Sequence, residues 1–430
     1  MTPEEHQQRI QEIARRVAER LVEHWPDSGA HINELEDFAE RMGQEVQREV
    51  SAEVLREEAA RKDGADCACP CGGRAAFQRF HGLELVTAAG RLRVHRAYYY
   101  CGRCRQGHCP ADGRLGLGAA NTTPTAQARL AALSALTPYV QVADLLFQLG
   151  LPLQVDLKST ERVTQAVGAR LAAAADRVPY LPTPRPVALG CDGVMVATRS
   201  GKKETRVGII YEPDPEAPRT PAGEAQLRKE YFATSGSRES LVATVCHRAR
   251  ERAGGGVVAV VSDGAALEWV ELDRYLPLRV EILDFSHVLE RVGEIARAMY
   301  PADPAGQSAW RTAMKTELYL IGPWKLVREL DAWQPTDALA QEVRRVQLAY
   351  FQRQLERMHY PAFRRRGFPI GSGAVEGACK HVVVDRFRQS GMRWKLETAD
   401  PVLHLRAALL TQPRLDLRAY AATKQRAAVA

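Results

Sequence analysis

Three acidic residues stand where a folded chain can bring carboxylates together. Asp192 follows the apolar run Val187-Ala188-Leu189-Gly190-Cys191, and Asp263 follows Val257-Val258-Ala259-Val260-Val261-Ser262, so each is expected at the end of a buried strand. Glu376 comes in Gly371-Ser372-Gly373-Ala374-Val375-Glu376-Gly377, on the first turn of a helix that opens after a glycine-rich bend. Chemistry on a phosphodiester uses two divalent ions roughly 3.5–4 Å apart, one on the attacking and one on the leaving oxygen. Mg²⁺, or Mn²⁺ in its place, takes oxygen ligands. Asp192 is expected to bridge both ions, Asp263 to hold one and Glu376 the other. Each acid alone has an ordinary structural use: Asp-Gly at 192–193 and 263–264 is a turn signal, Asp263 suits a helix cap, and Glu376 suits a helix N-terminus. The order of all three on the expected elements is what points to catalysis. Asp284-Phe285-Ser286-His287 adds an Asp and a His three apart where a strand passes into a helix, with His287 positioned to meet a phosphate or orient Asp263.

Six of the nine cysteines fall between Cys67 and Cys109. In a reducing compartment that density argues for metal rather than disulfides. Cys101-Gly102-Arg103-Cys104 is a Cys-x-x-Cys knuckle, and Cys69-Pro70-Cys71-Gly72-Gly73 supplies a second half with a short Cys-x-Cys spacing. Cys69, Cys71, Cys101 and Cys104 would close a tetrahedral structural Zn²⁺ site, although Cys67 with Cys71 is an alternative first pair. Between the halves, Leu92, Val94, Arg96, Tyr98 and Tyr100 alternate with Arg91, Arg93, His95, Ala97 and Tyr99 after an Ala89-Gly90 turn. That alternation predicts a hairpin, hence a zinc ribbon.

These sites need elements to hold them. At 430 residues the chain has room for two to four domains, by a prior of roughly 100–200 residues each. With 45% apolar and 26% charged residues it has an ordinary globular composition, neither disordered nor membrane-spanning. Residues 1–63 read as an N-terminal helical segment with an apolar stripe of Ile32, Leu35, Phe38, Met42, Val46 and Val50, and 64–115 as the ribbon. Residues 120–178 read as three helices, Pro124 to Leu136, Val140 to Leu149 and Ser159 to Ala174, spaced as in a helix-turn-helix. The last of them would present Lys158, Ser159, Thr160, Arg162, Thr164 and Gln165 to a DNA groove. The Pro-rich stretch 179–186 reads as a stiff linker.

From 187 to 285 three strands in hairpin order, then helix, strand, helix and strand, give the succession of an RNase H-like α/β core with a mixed five-stranded sheet. A helical insertion, 286–366, accounts for most of the 112 residues between Asp263 and Glu376 (376 minus 263, minus one). The core resumes over 367–411 and a basic tail follows at 412–430. The formal charge, 59 minus 52 or +7, is weak evidence for nucleic acid, but the basic residues cluster. Lys380, Arg386, Arg388 and Arg393 follow Glu376 closely, and Arg364-Arg365-Arg366 precedes the glycine bend. The acidic start lacks the apolar stretch of a secretory signal, so a cytoplasmic, nucleoid-associated protein is expected.

Five strings together make a specific likeness. Cys191-Asp192-Gly193-Val194-Met195-Val196, Val261-Ser262-Asp263-Gly264-Ala265, Ile282-Leu283-Asp284-Phe285-Ser286-His287, Ile370-Gly371-Ser372-Gly373-Ala374-Val375-Glu376 and Ser390-Gly391-Met392-Arg393-Trp394 resemble those of the Kra-type bacterial insertion-sequence transposases, as does the Cys-Pro-Cys-Gly-Gly ribbon. The likeness spans about residues 67 to 411. It implies a DDE transposase that binds double-stranded DNA at terminal inverted repeats, cleaves there with Mg²⁺ and joins the ends to target DNA. By matching motif, Asp192, Asp263 and Glu376 carry over as metal ligands and Asp284 with His287 as an Asp-x-x-His signature. Arg393 carries over as a DNA-backbone contact and Trp394 as a stacking or packing residue. Work on paired DNA ends implies at least a homodimer. A non-catalytic DNA-binding protein and an RNase H-like nuclease without strand transfer are the alternatives.

Overall fold

The computed structural model describes residues 3–26, 29–117, 121–174, 182–183, 185–213, 226–264 and 266–421. The chain forms two compact units, one of Met1–Ala174 with Asp416–Ala430, the other of Ala175–Leu415. Half of the predicted Pro-rich linker, residues 179–181 and 184, lies outside the described residues. Among the described residues no single helix is long and apolar enough to cross a membrane.

The first unit begins with two helices, α1 (Pro3–Leu21) and α2 (Ile32–Ala60), where one helical run was expected. Pro26 disfavours helical backbone at Trp25, which is extended, and His31 with Glu34 forms a reciprocal cap that restarts the helix. The expected stripe is only partly used: Phe38 is buried, whereas Ile32 and Leu35 are exposed. A four-stranded antiparallel sheet follows in chain order, β1 (Asp66–Ala68), β2 (Arg74–Thr87), β3 (Gly90–Cys101) and β4 (Gln106–His108), then the short α3 (Pro110–Arg114).

The β2–β3 hairpin does not bury one face throughout. Leu92 and Val94 are buried beside α2, with Leu85 and Val94 against Ala59, while nearer the knuckles Ala97, Tyr99 and Cys101 are buried among the cysteines. The buried face changes at Arg96–Ala97, next to a bulge at Gln78 where the pairing shifts. Tyr100, expected on the same side as Leu92, is exposed. The three predicted helices are α4 (Pro124–Leu136), α5 (Tyr139–Gln148) and α6 (Leu157–Ala172).

The second unit is built on a five-stranded sheet. Its strands are β5 (Val187–Thr198), β6 (Gly201–Pro213), β7 (Leu227–Thr234), β8 (Val258–Ser262) and β9 (Arg279–Leu283), in the spatial order β7-β6-β5-β8-β9. β5 is antiparallel to β6 and parallel to β8, and β8 is parallel to β9. Strands paired on both sides and covered by helices read as continuous apolar runs, which is why Val187-Ala188-Leu189 and Val258–Val261 are so uniformly aliphatic. The crossovers are α7 (Arg238–Arg252), capped by Ser237, and α8 (Ala266–Tyr275).

α9 (Phe285–Met299), α10 (Pro304–Leu320), α11 (Trp324–Ala332), α12 (Ala338–Gln354) and α13 (Tyr360–Arg365) fill the predicted helical stretch. Then come α14 (Gly373–Ala378), a π-helical turn Cys379–Val384, α15 (Asp385–Phe387) and α16 (Leu396–Leu410), which packs on β7. The segment expected as a basic tail contains α17 (Arg418–Ala421), which belongs to the first unit. Leu417 and Ala421 are buried there and Arg170 Nε donates to the Tyr420 carbonyl at 2.7 Å, so packing overrides the charge-based reading. Residues 422–430 of that tail lie outside the described residues.

Gly190 fixes how α14 approaches the sheet. A Cβ at 190 would overlap Val375 Cγ2, one residue before Glu376, and valine has little rotamer freedom with which to yield. Gly190→Ala should therefore lower stability by about 1–3 kcal/mol through overpacking. Thermal unfolding checks this, and an unchanged midpoint would show that α14 is not held against β5.

Candidate functional site

The cysteine cluster is the tighter of the two sites. Cys69 Sγ lies 3.6 Å from Cys104 Sγ, and Cys71 Sγ lies 3.7 Å from Cys101 Sγ. All four sulfurs fall within 4.8 Å of one another. Zinc–sulfur bonds of about 2.3 Å in a tetrahedron imply sulfur–sulfur edges of about 3.8 Å, so the spacing suits a tetrahedral ion. Cys69 and Cys101 are buried, Cys104 is half-buried and Cys71 exposed.

Local backbone explains the arrangement. The Cys69 amide donates to the Gly73 carbonyl and the Gly72 amide to the Cys69 carbonyl, which curls the short Cys-x-Cys segment back on itself. Gly72 takes a positive φ of 79°, and a Cβ on Gly73 would press on the sulfurs of Cys101 and Cys71. Amides of Cys104 and Arg103 directed at Cys101 lower its thiol to about 7, which favours the thiolate a metal requires. Cys69 is raised to about 12: the Cys71 amide lowers it, but burial and the neighbouring thiols prevail. Cys67 stands outside the quartet, 3.6 Å from His108 Nε2, so Cys69 and not Cys67 completes the cluster. These four thiols can hold a structural metal such as zinc, and four protein ligands leave no open position for catalysis.

The acids are arranged differently. Asp263 immediately follows β8, as expected. Asp192 does not end its strand: β5 continues to Thr198 because β6 pairs with it along its whole length, whereas β8 pairs only with Val187–Leu189. Asp192 thus sits in the stretch of β5 that β8 leaves unpaired. Its Oδ1 accepts from the Gly193 amide at 2.6 Å, and its Oδ2 accepts from the Cys379 thiol at 3.6 Å. The Asp263 carbonyl accepts from Tyr350 Oη at 3.0 Å.

Glu376 projects from the first turn of α14, which the absent side chain of Gly190 lets approach β5. Cys379, one turn further on, is raised to about 12 by burial first and then by the charges of Asp192 and Glu376, so both carboxylates act on one thiol. Asp192, Asp263 and Glu376 are all exposed, and their oxygens do not gather as closely as the thiols do. Carboxylates that serve two ions are spread over both of them, and without cations they repel.

Asp284 is the buried member, with 4% of its surface exposed. It caps α9 by accepting from the Ser286 amide at 3.0 Å and the Ser286 hydroxyl at 2.8 Å. It also accepts from the Ser372 amide at 3.1 Å and lies 2.7 Å from the Ser372 hydroxyl. The Phe285 amide donates to the Ile370 carbonyl and the Asp284 amide to the Ser262 carbonyl, both at 2.8 Å. Asp284 therefore clasps the glycine bend, the start of α9 and the end of β8. The Ser372 hydroxyl oxygen also lies 2.8 Å from Glu376 Oε1, and its single proton serves one of the two carboxylates at a time. His287, half-exposed, has its Nδ1 3.4 Å from Glu290 Oε2.

Of the residues expected to meet DNA, Lys158 and Arg162 are exposed on α6, and Lys380, Arg388 and Arg393 are exposed in the second unit. Thr160 and Thr164 are not available to a groove. Both are buried, and their hydroxyls donate to the carbonyls four residues back. Arg386 is also misassigned by sequence: it is 1% exposed, with its guanidinium 4.9 Å from the Trp394 ring centre and a nitrogen 3.5 Å from Met392 sulfur. Trp394 takes the packing role, its ring centre 4.5 Å from that of Phe387 at a tilt of 34°, and its amide donates to the Ala197 carbonyl of β5 at 3.1 Å. Ser372, Cys379 and Gly190 are site residues that sequence reasoning passed over as parts of motifs. No family model matches the chain, and no curated protein matches it.

Two measurements follow. Cys101→Ser should reduce bound zinc by metal analysis while Cys67→Ser retains it, and equal loss in both would contradict the quartet. Asp284→Ala should cost about 3 kcal/mol in denaturant unfolding, because the amides and hydroxyls of Ser286 and Ser372 lose a charged acceptor that ties two distant segments together; a loss under about 1 kcal/mol would deny the clasp.

Proposed function

We propose that this chain is a DDE transposase whose second unit is an RNase H-like catalytic core. The observation that carries the reading is the placement of the acids: one on the central strand β5, one at the end of its parallel neighbour β8, and one on a helix seated beside β5 through Gly190. The strand order, with β5 antiparallel to β6 and parallel to β8, is the order that such a core requires. Three of the five Kra-type strings fall on these same elements, the fourth runs from β9 into α9 and the fifth follows α15.

The donor set suits hard cations. Asp192, Asp263 and Glu376 offer exposed carboxylate oxygens, and a Mg²⁺ pair held there would supply activation of the attacking oxygen and charge neutralisation at the leaving oxygen. The chain's own residues do the positioning. The Gly193 amide and the Cys379 thiol each engage one oxygen of Asp192 and so orient its carboxylate. Ser372 holds Glu376 toward the bend, and Asp284 holds Ser372. The attacking group is water in cleavage and a DNA 3′-hydroxyl in strand transfer, so no covalent protein nucleophile is needed. His287, at the mouth of α9, is assigned to a scissile phosphate.

Around this core the remaining parts find roles. The four-cysteine cluster and its hairpin act as a zinc ribbon, and α4–α6 act as a helix-turn-helix-like domain with Lys158 and Arg162 toward DNA. Lys380, Arg388 and Arg393 contact the phosphate backbone near the acids. The partners are terminal inverted repeats and target DNA, engaged by at least a homodimer at the nucleoid.

Purified protein, with Mg²⁺ or Mn²⁺ and DNA carrying the flanks of its gene, should cut at defined ends and yield joined products. Asp192→Asn, Asp263→Asn and Glu376→Gln should each reduce cutting by at least about 10²-fold while DNA affinity stays near the wild-type value. Variants that cut like wild type would refute the assignment.

A further inference from the structure

The charge of the first unit is sharply divided. Residues 1–61 carry fifteen acids against eight arginines, whereas residues 64–115 carry eight arginines against three acids. Part of that basic charge is consumed internally: Arg96 pairs with Asp112, Arg114 with Glu58 and Asp63, and Arg74 with Asp66. Of the five arginines that remain, Arg91 and Arg93 lie on the outer face of the β2–β3 hairpin, Arg79 lies on β2 facing the other way, and Arg103 and Arg105 sit at the second knuckle.

Pairing register defines that face. Opposed residues share a side, so Phe80 with Ala97, Gly82 with His95, Glu84 with Arg93 and Val86 with Arg91 lie together, opposite the side that buries Leu85, Leu92 and Val94. Arg91, Arg93 and His95 are all exposed and recur at every second residue, which spaces them about 7 Å apart in a line. Arg93 has no acidic partner among the described residues, and the Arg91 bond to Glu84 is an exposed pair of little strength.

Across from this line the face is uncovered only in its middle, between the buried Val86 and Ala97. Gly82 has no side chain, and the atoms nearest to an added Cβ would be those of Arg93 and His95, at 3.7–3.8 Å. Phe80 is 45% exposed beside Gly82, with the Lys62 ammonium 5.3 Å from its ring centre. The hairpin thus presents two arginines and a histidine, the Arg93 and His95 side chains reaching over Gly82, beside an aromatic edge. A major groove about 12 Å wide admits a two-stranded ribbon, with basic side chains reaching its phosphates or base edges.

We infer that the outer face of the β2–β3 hairpin is a duplex-DNA contact surface, centred on Arg91, Arg93 and His95 across from Gly82. This rests on the proposal above that DNA is the partner, and it adds a surface separate from α6 and from the acids. The zinc cluster would then hold one end of the hairpin and the buried turn at Thr87–Gly90 the other, leaving the middle of the face to meet the duplex.

The test is fluorescence anisotropy of the full chain with a labelled mixed-sequence duplex and with a duplex carrying its gene's flanks, over a salt titration. Arg91→Ala/Arg93→Ala should bind both about tenfold more weakly, with the slope of log affinity against log salt smaller by about 2. Gly82→Glu, which adds an acid to the middle of the face without touching the core, should weaken binding in the same direction. Arg15→Ala/Arg16→Ala, an equal charge change on α1, should leave affinity within twofold, and retained zinc verifies that the ribbon is folded. Hairpin variants that bind like wild type, an equal loss in the α1 variant, or altered self-association with DNA affinity intact would overturn the inference. Wild-type protein that binds neither duplex would instead reject DNA as the partner, and the inference with it.

Discussion

The second unit depends on one buried carboxylate. Asp284 stands where β9 becomes α9, and its two oxygens gather donors from Ser286 and from Ser372, which is 88 residues further along the chain. A carboxylate removed from water needs such donors to remain acceptable in the interior, and the donors need it equally. The consequence is geometric. The whole of α9–α13 is inserted between two points that Asp284 holds together, so the insertion can be long without loosening the site. The glycine bend, fixed by this clasp and by the Phe285–Ile370 backbone bond, then starts α14 in a direction that brings Val375 into the space left by Gly190.

That chain of contacts explains why the three proposed ligands are exposed while their supports are buried. Asp192, Asp263 and Glu376 face outward, where ions and a polyanion can reach them. Gly190, Val375, Cys379 and Asp284 lie beneath or beside them in packed surroundings. The π-helical turn directly after α14 inserts extra backbone at this point, a feature that tends to accompany functional sites. It is followed by the inward-facing Arg386, Phe387 and Trp394, which tie the end of the core back to β5.

Much of this architecture was legible because strong local signals agreed with the fold. Pro124 at a helix start matches both limits of α4, and the aliphatic run ending at Ser262 matches the end of β8, which begins one residue after Val257. Legibility failed where tertiary contacts decide. Asp192 reads as a strand end, since an Asp-Gly pair after an apolar run looks like a turn, yet pairing with β6 carries the strand past it. Arg386 reads as a surface cation, but the neighbouring aromatic rings make a buried site for it. Cys67 and Cys69 are equivalent in spacing arguments, and only the fold of the Cys69–Gly73 turn separates them. The partners of Asp284 and His287 are not legible either: Asp284 is held by Ser286 and Ser372, and His287 lies beside Glu290.

The central claim is that Asp192, Asp263 and Glu376 hold divalent ions together. A crystal structure of the full chain grown with Mn²⁺ and recorded at its absorption edge tests it most directly. Anomalous peaks are expected within bonding distance of oxygens from all three residues, with Asp284 still bound to Ser372 and outside the coordination sphere. Manganese ligated by Asp284 in place of Glu376, or absent from among the three carboxylates at saturating concentration, would contradict it.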